Sequence, residues 1–237
     1  MSNSALKIKI FADGADISAI LELAGNPFVR GFTTNPTLMH RAGVVDYERF
    51  ARDVLDVVRD VPVSFEVIAD AFDDMARQAR KIASWGENVY VKIPVTNTSA
   101  ESSIGLIHDL TADGLRLNVT ALTTLEQVDA VSSALNPVVP SIVSVFAGRI
   151  ADTGVDPVPV MEEALKILAP LPDAELLWAS PRELLNVIQA ERTGCHIISV
   201  THDLLRKLSG VGRDLTSVSL DTVIMFYVDA VASGLTL

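Results

Sequence analysis

Short apolar runs rich in β-branched residues recur along this chain about every 30 residues, separated by longer stretches whose apolar residues fall on a helical stripe. The runs are Ile8 to Asp13, Gly31 to Asn35, Val63 to Ile68, Val89 to Val95, Arg116 to Leu122, Ser141 to Gly148, Glu175 to Ser180 and Cys195 to Thr201. The stretch from Tyr47 to Arg59 sets apolar residues against charged ones, as an outer helix requires. Similar patterns begin near Ile17, Asp70, Ala100, Thr124, Pro157, Pro181 and Asp203. Units of this size are βα units, which pair in parallel, and eight of them predict an α/β fold, a (β/α)8 TIM barrel, with residues 1–237 as one barrel domain. The competing topology is an open doubly wound sheet, whose Gly-rich turn should follow the first strand. Here that turn is Ala12-Asp13-Gly14-Ala15-Asp16, so the fingerprint is missing. Ser219 to Val231, dense in apolar side chains, is expected to form an additional C-terminal helix packed on the barrel or on a neighbouring subunit.

Composition narrows the function classes. With 49% hydrophobic and 21% charged residues and a mean hydropathy of +0.35, the chain has ample apolar surface for a core. A net charge of -11 repels nucleic acid and anionic membrane surfaces, so a phosphate site would have to be local. The single cysteine, Cys195, excludes an internal disulfide framework and multi-cysteine zinc motifs, and fits a reducing, cytoplasmic setting. Met1 to Lys7 lacks a basic flank leading into a long apolar stretch, and no segment reaches the ~18 uninterrupted apolar residues of a membrane span. The Pro-containing stretches Val155 to Val160 and Ala169 to Asp173 are of loop length, and no domain linker, repeat or low-complexity tract is evident.

The inner face of a barrel is normally filled with branched apolar side chains. Toward the C-terminal ends of successive strands this chain instead places Asp13, Thr33 with Asn35, Ser64 with Glu66, Lys92, Asn118 with Thr120, and Ser144 with Phe146. Residues two apart in a strand share a face, so each pair converges. Burying so many polar groups costs roughly 1 to 3 kcal/mol apiece unless partners are supplied. Any one of them alone would pass as a harmless hydrogen bonder, and Asn35 before Pro36 as a turn former. Six strands together point to a site at the C-terminal mouth.

Lys92 is the sharpest of these, one of six lysines and set in the apolar run Val89-Tyr-Val-Lys-Ile-Pro-Val95. A desolvated amine gives up its proton more easily and can attack a carbonyl to form a Schiff base. The alternative is a structural ion pair with Asp13 or Glu66. Those two carboxylates could divide the proton transfers of C–C cleavage and of water loss from a carbinolamine, with Thr120 holding a water. Arg149 after the sixth strand, and Ser180-Pro181-Arg182 after the seventh, lie where barrels commonly hold a phosphate. His40, His108, His196 and His202 lack metal-ligand spacing, Gly210-Val-Gly212 follows no strand, and Cys195 reads as inert packing.

The segments Gly31-Phe-Thr-Thr-Asn-Pro-Thr37, Val91-Lys-Ile-Pro-Val-Thr96, Asn118-Val-Thr120, Phe146-Ala-Gly-Arg149 and Ser180-Pro-Arg182 closely resemble the transaldolase family, which includes the fructose-6-phosphate aldolases. The resemblance runs to the Ser219 to Tyr227 segment, and the length is similar to that of the short members. It implies Lys92 as the Schiff-base lysine, Asp13 as acid and base for C–C cleavage, and Glu66 with Thr120 handling the catalytic water. Asn35 and Asn118 would bind hydroxyls of a dihydroxyacetone unit, with Thr33, Ser64 and Ser144 lining the pocket, and Arg149, Ser180 and Arg182 would hold phosphate. The aldolase branch resembles Gln where this chain has Glu66, and Tyr where it has Phe146, so both positions favour transfer to an acceptor over release of free dihydroxyacetone. The implied substrates are ketose and aldose phosphates of the pentose phosphate type, with no cofactor or metal, no nucleic-acid or membrane partner, and a homo-oligomeric assembly. Remaining rivals are a free-dihydroxyacetone aldolase, an enzyme whose substrate carries another anion such as a sulfonate, and a sugar-phosphate-binding barrel without chemistry.

Overall fold

A computed structural model describes residues 6–234 and 236; Met1 to Ala5, the greater part of the Met1 to Lys7 segment expected to carry no export signal, lie outside the described residues. Eight parallel strands close into a barrel in chain order: β1 (Lys9–Asp13), β2 (Val29–Thr33), β3 (Val63–Glu66), β4 (Val89–Pro94), β5 (Leu117–Leu122), β6 (Ser141–Val145), β7 (Ala174–Trp178) and β8 (Ile197–Thr201). The last strand pairs with the first, from Lys9 opposite Ile197 to Asp13 opposite Thr201.

Helices α1 (Ile17–Ala24), α2 (Pro36–Arg41), α3 (Tyr47–Val57), α4 (Phe72–Ala83), α5 (Ile104–Ala112), α6 (Leu125–Ala134), α7 (Ala147–Ala151), α8 (Pro157–Leu168), α9 (Leu185–Thr193), α10 (His202–Lys207) and α11 (Leu215–Ser233) complete the chain. Several begin on the caps their sequences carry. The Asp16, Asp46 and Asp156 side chains accept from backbone N–H groups of α1, α3 and α8, and Thr124 with Gln127 forms a capping box on α6.

The main core lies between barrel and helices, where the outward residues of each strand, such as Val63 and Phe65 on β3 or Val89, Val91 and Ile93 on β4, meet the helix stripes. A second, smaller cluster of Phe11, Ile142, Leu177, Ala179 and Ile197, with Tyr90 and Phe146 packed against it, plugs the barrel interior. Gly31 belongs to this plug by omission: a Cβ there would sit 2.5 Å from the Phe11 ring. The floor is therefore apolar, and the polar inward residues stand above it.

Several expectations need correction, among them the ends of the third and seventh strands, which stop at Glu66 and Trp178 rather than at Ile68 and Ser180. The second strand stops at Thr33, because Asn35 turns to cap α2 and Pro36 starts that helix. The sixth stops at Val145, because Phe146 begins a five-residue helix, α7, which holds Gly148 and Arg149. The C-terminal helix is longer than expected, and of the two packing surfaces expected for it, the barrel or a neighbouring subunit, it does not use its own barrel. Every residue of α11 is exposed, including Phe226 and Tyr227. By length and composition α11 alone among the described helices could cross a membrane, although Asp221 and Asp229 interrupt its apolar run.

Candidate active site

The mouth of the barrel is built by strand ends. Lys92 on β4 is 6% exposed, and its Nζ lies 2.9 Å from Glu66 Oε2, with its register partner on β3 being Glu66 itself. The same ammonium donates to the Thr34 carbonyl at 2.8 Å. Of the two ion-pair partners suggested by sequence, the structure selects Glu66. The glutamate is anchored from behind, since the Tyr47 hydroxyl of α3 donates to its carbonyl oxygen at 2.8 Å. Tyr47 is wedged edge-on against Phe65 and Trp85, and burial pushes its phenol well above the ordinary range.

Asp13, at the end of β1, accepts from Thr33 Oγ1 at 2.7 Å, and Thr33 Oγ1 lies 2.6 Å from Ser199 Oγ on β8. Burial raises the Asp13 carboxyl above the usual range against the opposing pull of Lys92 and the Thr33 hydrogen bond, with Glu66 adding to the rise. Across the barrel, the Asn118 amide donates to Ser64 Oγ at 3.0 Å and accepts from Ser144 Oγ at 2.6 Å. Thr120 differs from all of these, because its buried Oγ1 has no partner among the described residues. It stands at an irregularity: the β5–β6 register shifts between Val119 and Leu122, and Ala121 has a φ of 66°. Such a bulge re-aims a side chain, here leaving one hydroxyl with unmet hydrogen-bonding capacity.

Asn35 is not in this network. Its side-chain oxygen caps α2 by accepting from Leu38 N at 2.9 Å. Phe146 lies just past β6, packed on the apolar plug.

Arg149, Ser180 and Arg182 come together through a close backbone approach. The Gly148 N–H donates to the Ala179 carbonyl at 3.3 Å, and a Cβ on Gly148 would fall 1.6 Å from the Ser180 oxygen. Ser180 itself takes a left-handed φ of 59°. Arg182 is engaged in a fork on Asp152, with Nε donating to Oδ1 at 2.9 Å and Nη2 to Oδ2. That fork, with Arg149 adding its charge, holds the Asp152 carboxyl below the usual range.

Four residues of this constellation escaped the sequence reading. Ser199 carries the signal used elsewhere, a polar residue two positions from inward-facing Ile197. Asp152 follows Arg149 at helical spacing, whereas Thr34 acts through its own carbonyl and Tyr47 on that of Glu66, and neither leaves such a trace. Cys195 is buried with its thiol pushed up to about 12, the inert packing expected of it. Among the described residues no group of three or more His, Cys, Asp or Glu side chains could hold a metal ion.

Comparison with known proteins places this geometry. The chain is 34% identical over 202 residues to "Probable transaldolase 2" of Listeria monocytogenes serovar 1/2a, covering 85% of this chain and 88% of that protein. It is 30% identical over 215 residues to "Probable transaldolase" of Thermoanaerobacter sp., covering 90% and 94%. Among solved structures, the "putative lyase/mutase" of Burkholderia cenocepacia J2315 is similar in fold, with a TM-score of 0.63 at 14% identity over 87% of this chain and 81% of that one. The pattern of the family described as Transaldolase/Fructose-6-phosphate aldolase matches residues 10–230, from the first strand into α11, and the chain belongs to that family.

Proposed function

We propose that the protein is a transaldolase that moves a dihydroxyacetone unit from a ketose phosphate, of the sedoheptulose 7-phosphate or fructose 6-phosphate type, to an aldose phosphate through a Schiff base on Lys92. The observation that carries this reading is the buried Lys92 Nζ, 2.9 Å from Glu66 in a mouth that also holds Asp13 and the unpartnered Thr120 hydroxyl. Glu66 takes the ammonium proton, and the freed amine attacks the donor's C2 carbonyl. The carbinolamine oxygen is protonated and leaves as water, for which Thr120 Oγ1 is the available anchor. Asp13 takes the proton of the C4 hydroxyl, the C3–C4 bond breaks, its electrons pass to the iminium to give the enamine, and the first aldose phosphate departs. The enamine then attacks the acceptor's aldehyde, Asp13 returns its proton to the new hydroxyl, and hydrolysis releases the product ketose.

Asn118, Ser64 and Ser144, with Thr33 level with Ser64, form a polar wall for the three-carbon unit, Asn35 lies beyond the end of β2, and Arg149, Ser180 and Arg182 take the phosphate. Phe146 offers no hydroxyl to direct water at the intermediate, so the enamine waits for an acceptor. No cofactor is needed. We place the enzyme in the cytoplasm as a homo-oligomer assembled through α11. Asp221 and Asp229 would set two carboxylates in hydrocarbon if that helix crossed a bilayer, so a protein surface is its better partner.

The test is mass spectrometry after mixing the protein with fructose 6-phosphate and borohydride, with Lys92→Ala as control. A reduced dihydroxyacetone adduct mapped to Lys92 supports the reading, and its absence from folded protein with fructose 6-phosphate and sedoheptulose 7-phosphate alike refutes it. Dihydroxyacetone released without any acceptor would move the protein to the aldolase branch.

A further inference from the structure

We propose that Ser199 is a positioning residue for Asp13, acting through Thr33 as a two-hydroxyl chain whose direction follows the protonation state of the carboxylate. This inference rests on the role of Asp13 proposed above. Thr33 has one hydroxyl proton, and an ionised carboxylate can only accept. With Thr33 Oγ1 donating to Asp13 Oδ1 at 2.7 Å, the 2.6 Å contact between Thr33 and Ser199 is filled by the Ser199 proton. The order is then Ser199 to Thr33 to Asp13.

Asp13 takes a proton in the cleavage half-reaction and returns one in the synthetic half. When it carries the proton, its O–H can donate to Thr33 Oγ1, and Thr33 then turns its own proton to Ser199. No covalent bond breaks along the chain, because each hydroxyl keeps its proton and only rotates. Thr33 is 4% exposed and Ser199 6%, so bulk water cannot readily stand in for a lost partner. Ser199 is placed for this by register: it sits opposite Phe11 in the β1–β8 ladder, two residues before Thr201, which faces Asp13. Without Ser199, the ionised Asp13 still takes the Thr33 proton, but when the Asp13 O–H donates to Thr33 Oγ1 the proton of that buried threonine loses the acceptor that Ser199 supplies.

The experiment is a double-mutant cycle on the intact protein. Ser199→Ala should lower kcat about 10-fold with KM for donor and acceptor held within about two-fold, and Ser199→Thr, which restores a hydroxyl, should recover most of the loss. Thr33→Val should lower kcat at least as far, and adding Ser199→Ala to it should cost nothing more, because the chain is already cut. Ser199→Cys, close in volume but a weak hydrogen bonder, gives the same fall and serves should the alanine variant not fold. Unchanged kcat in the folded variants, or losses that multiply in the double variant, would overturn the proposal. Borohydride trapping on the same preparations separates it from its parent reading. An adduct on Lys92 in wild type and Ser199→Ala alike leaves the Schiff base standing whichever way the cycle falls. A wild type with neither adduct nor product overturns both.

Discussion

Gly148→Ala tests how the proposed anion site is built. Gly148 is the second residue of α7, where alanine is the better helix former by up to about 1 kcal/mol, so a neutral environment predicts stabilisation. The structure predicts the opposite. A Cβ would lie 1.6 Å from the Ser180 oxygen and 2.7 Å from its carbonyl carbon, both backbone atoms that cannot rotate aside. Restoring ordinary contact requires α7 and the chain after β7 to part by about 2 Å, which breaks the Gly148 to Ala179 hydrogen bond at a cost of about 0.5–1.5 kcal/mol and disturbs packing worth about 1–3 kcal/mol. With the full helix gain subtracted, the net loss is about 0.5–3.5 kcal/mol. For a chain of this length that lowers Tm by roughly 1–14 °C. Arg149 rides on α7, and Ser180 and Arg182 ride on the opposing segment. Their separation should raise KM for phosphorylated donors about 10-fold or more, with much less effect on unphosphorylated ones. Differential scanning calorimetry and initial rates with both donor classes check this. A variant with raised Tm and unchanged KM would refute the close-approach argument.

Three further outcomes follow from the site. Burial holds the Asp13 proton to a higher pH than in the unfolded chain, so the folded state loses stability as pH rises from the ordinary carboxylate range through the raised value. Asp13→Asn should therefore be inactive in transfer yet melt higher than wild type at pH 7, an advantage that disappears below about pH 4 in calorimetric scans. Tyr47→Phe keeps the ring against Phe65 and Trp85 but strips the hydrogen bond from the Glu66 carbonyl, and should cost about 1–2 kcal/mol in urea unfolding together with a drop in kcat. Replacing Phe226 and Val223 of α11 by Asp should leave far-UV circular dichroism intact while sedimentation shows monomer; a wild type that is already monomeric would sink the proposed interface.

The barrel was legible because each βα unit repeats one pattern, apolar residues at period two and then at helical period, and eight repetitions leave little freedom. The strand ends were less legible. Asn35 and Phe146 carry strand-like spacing from Thr33 and Ser144, and only the capping geometry of α2 and the onset of α7 show the chain leaving the sheet. A five-residue helix has too few turns to display a period. The buried lysine and its carboxylates stood out by charge type, whereas the partner of Lys92 depended on register, with Glu66 directly opposite on β3. Asp152 could not be weighed beside Arg182 from sequence, since thirty positions separate them and the contact forms where Gly148 lets two backbones approach.

The hydrogen-bond accounting at the mouth sets what the proposed chemistry can draw on. Unpaired buried polar groups cost about 1–3 kcal/mol each, and the polar residues at the mouth avoid most of that cost by pairing with one another. Asn118 binds Ser64 and Ser144, Thr33 binds Asp13 and Ser199, and Glu66 binds Lys92. Lys92 Nζ has three protons, with Glu66 and the Thr34 carbonyl accounting for two. When one proton passes to Glu66, the amine can keep its anchor on Thr34 and gain a lone pair, so deprotonation frees the nucleophile without releasing it. The exception to mutual pairing in this set is Thr120, whose hydroxyl the β5 bulge leaves unmatched. A scaffold that gives every other residue in this set a partner has kept one hydroxyl in reserve, beside the lysine strand at register with Pro94, where formation and hydrolysis of the proposed Schiff base both need a water held.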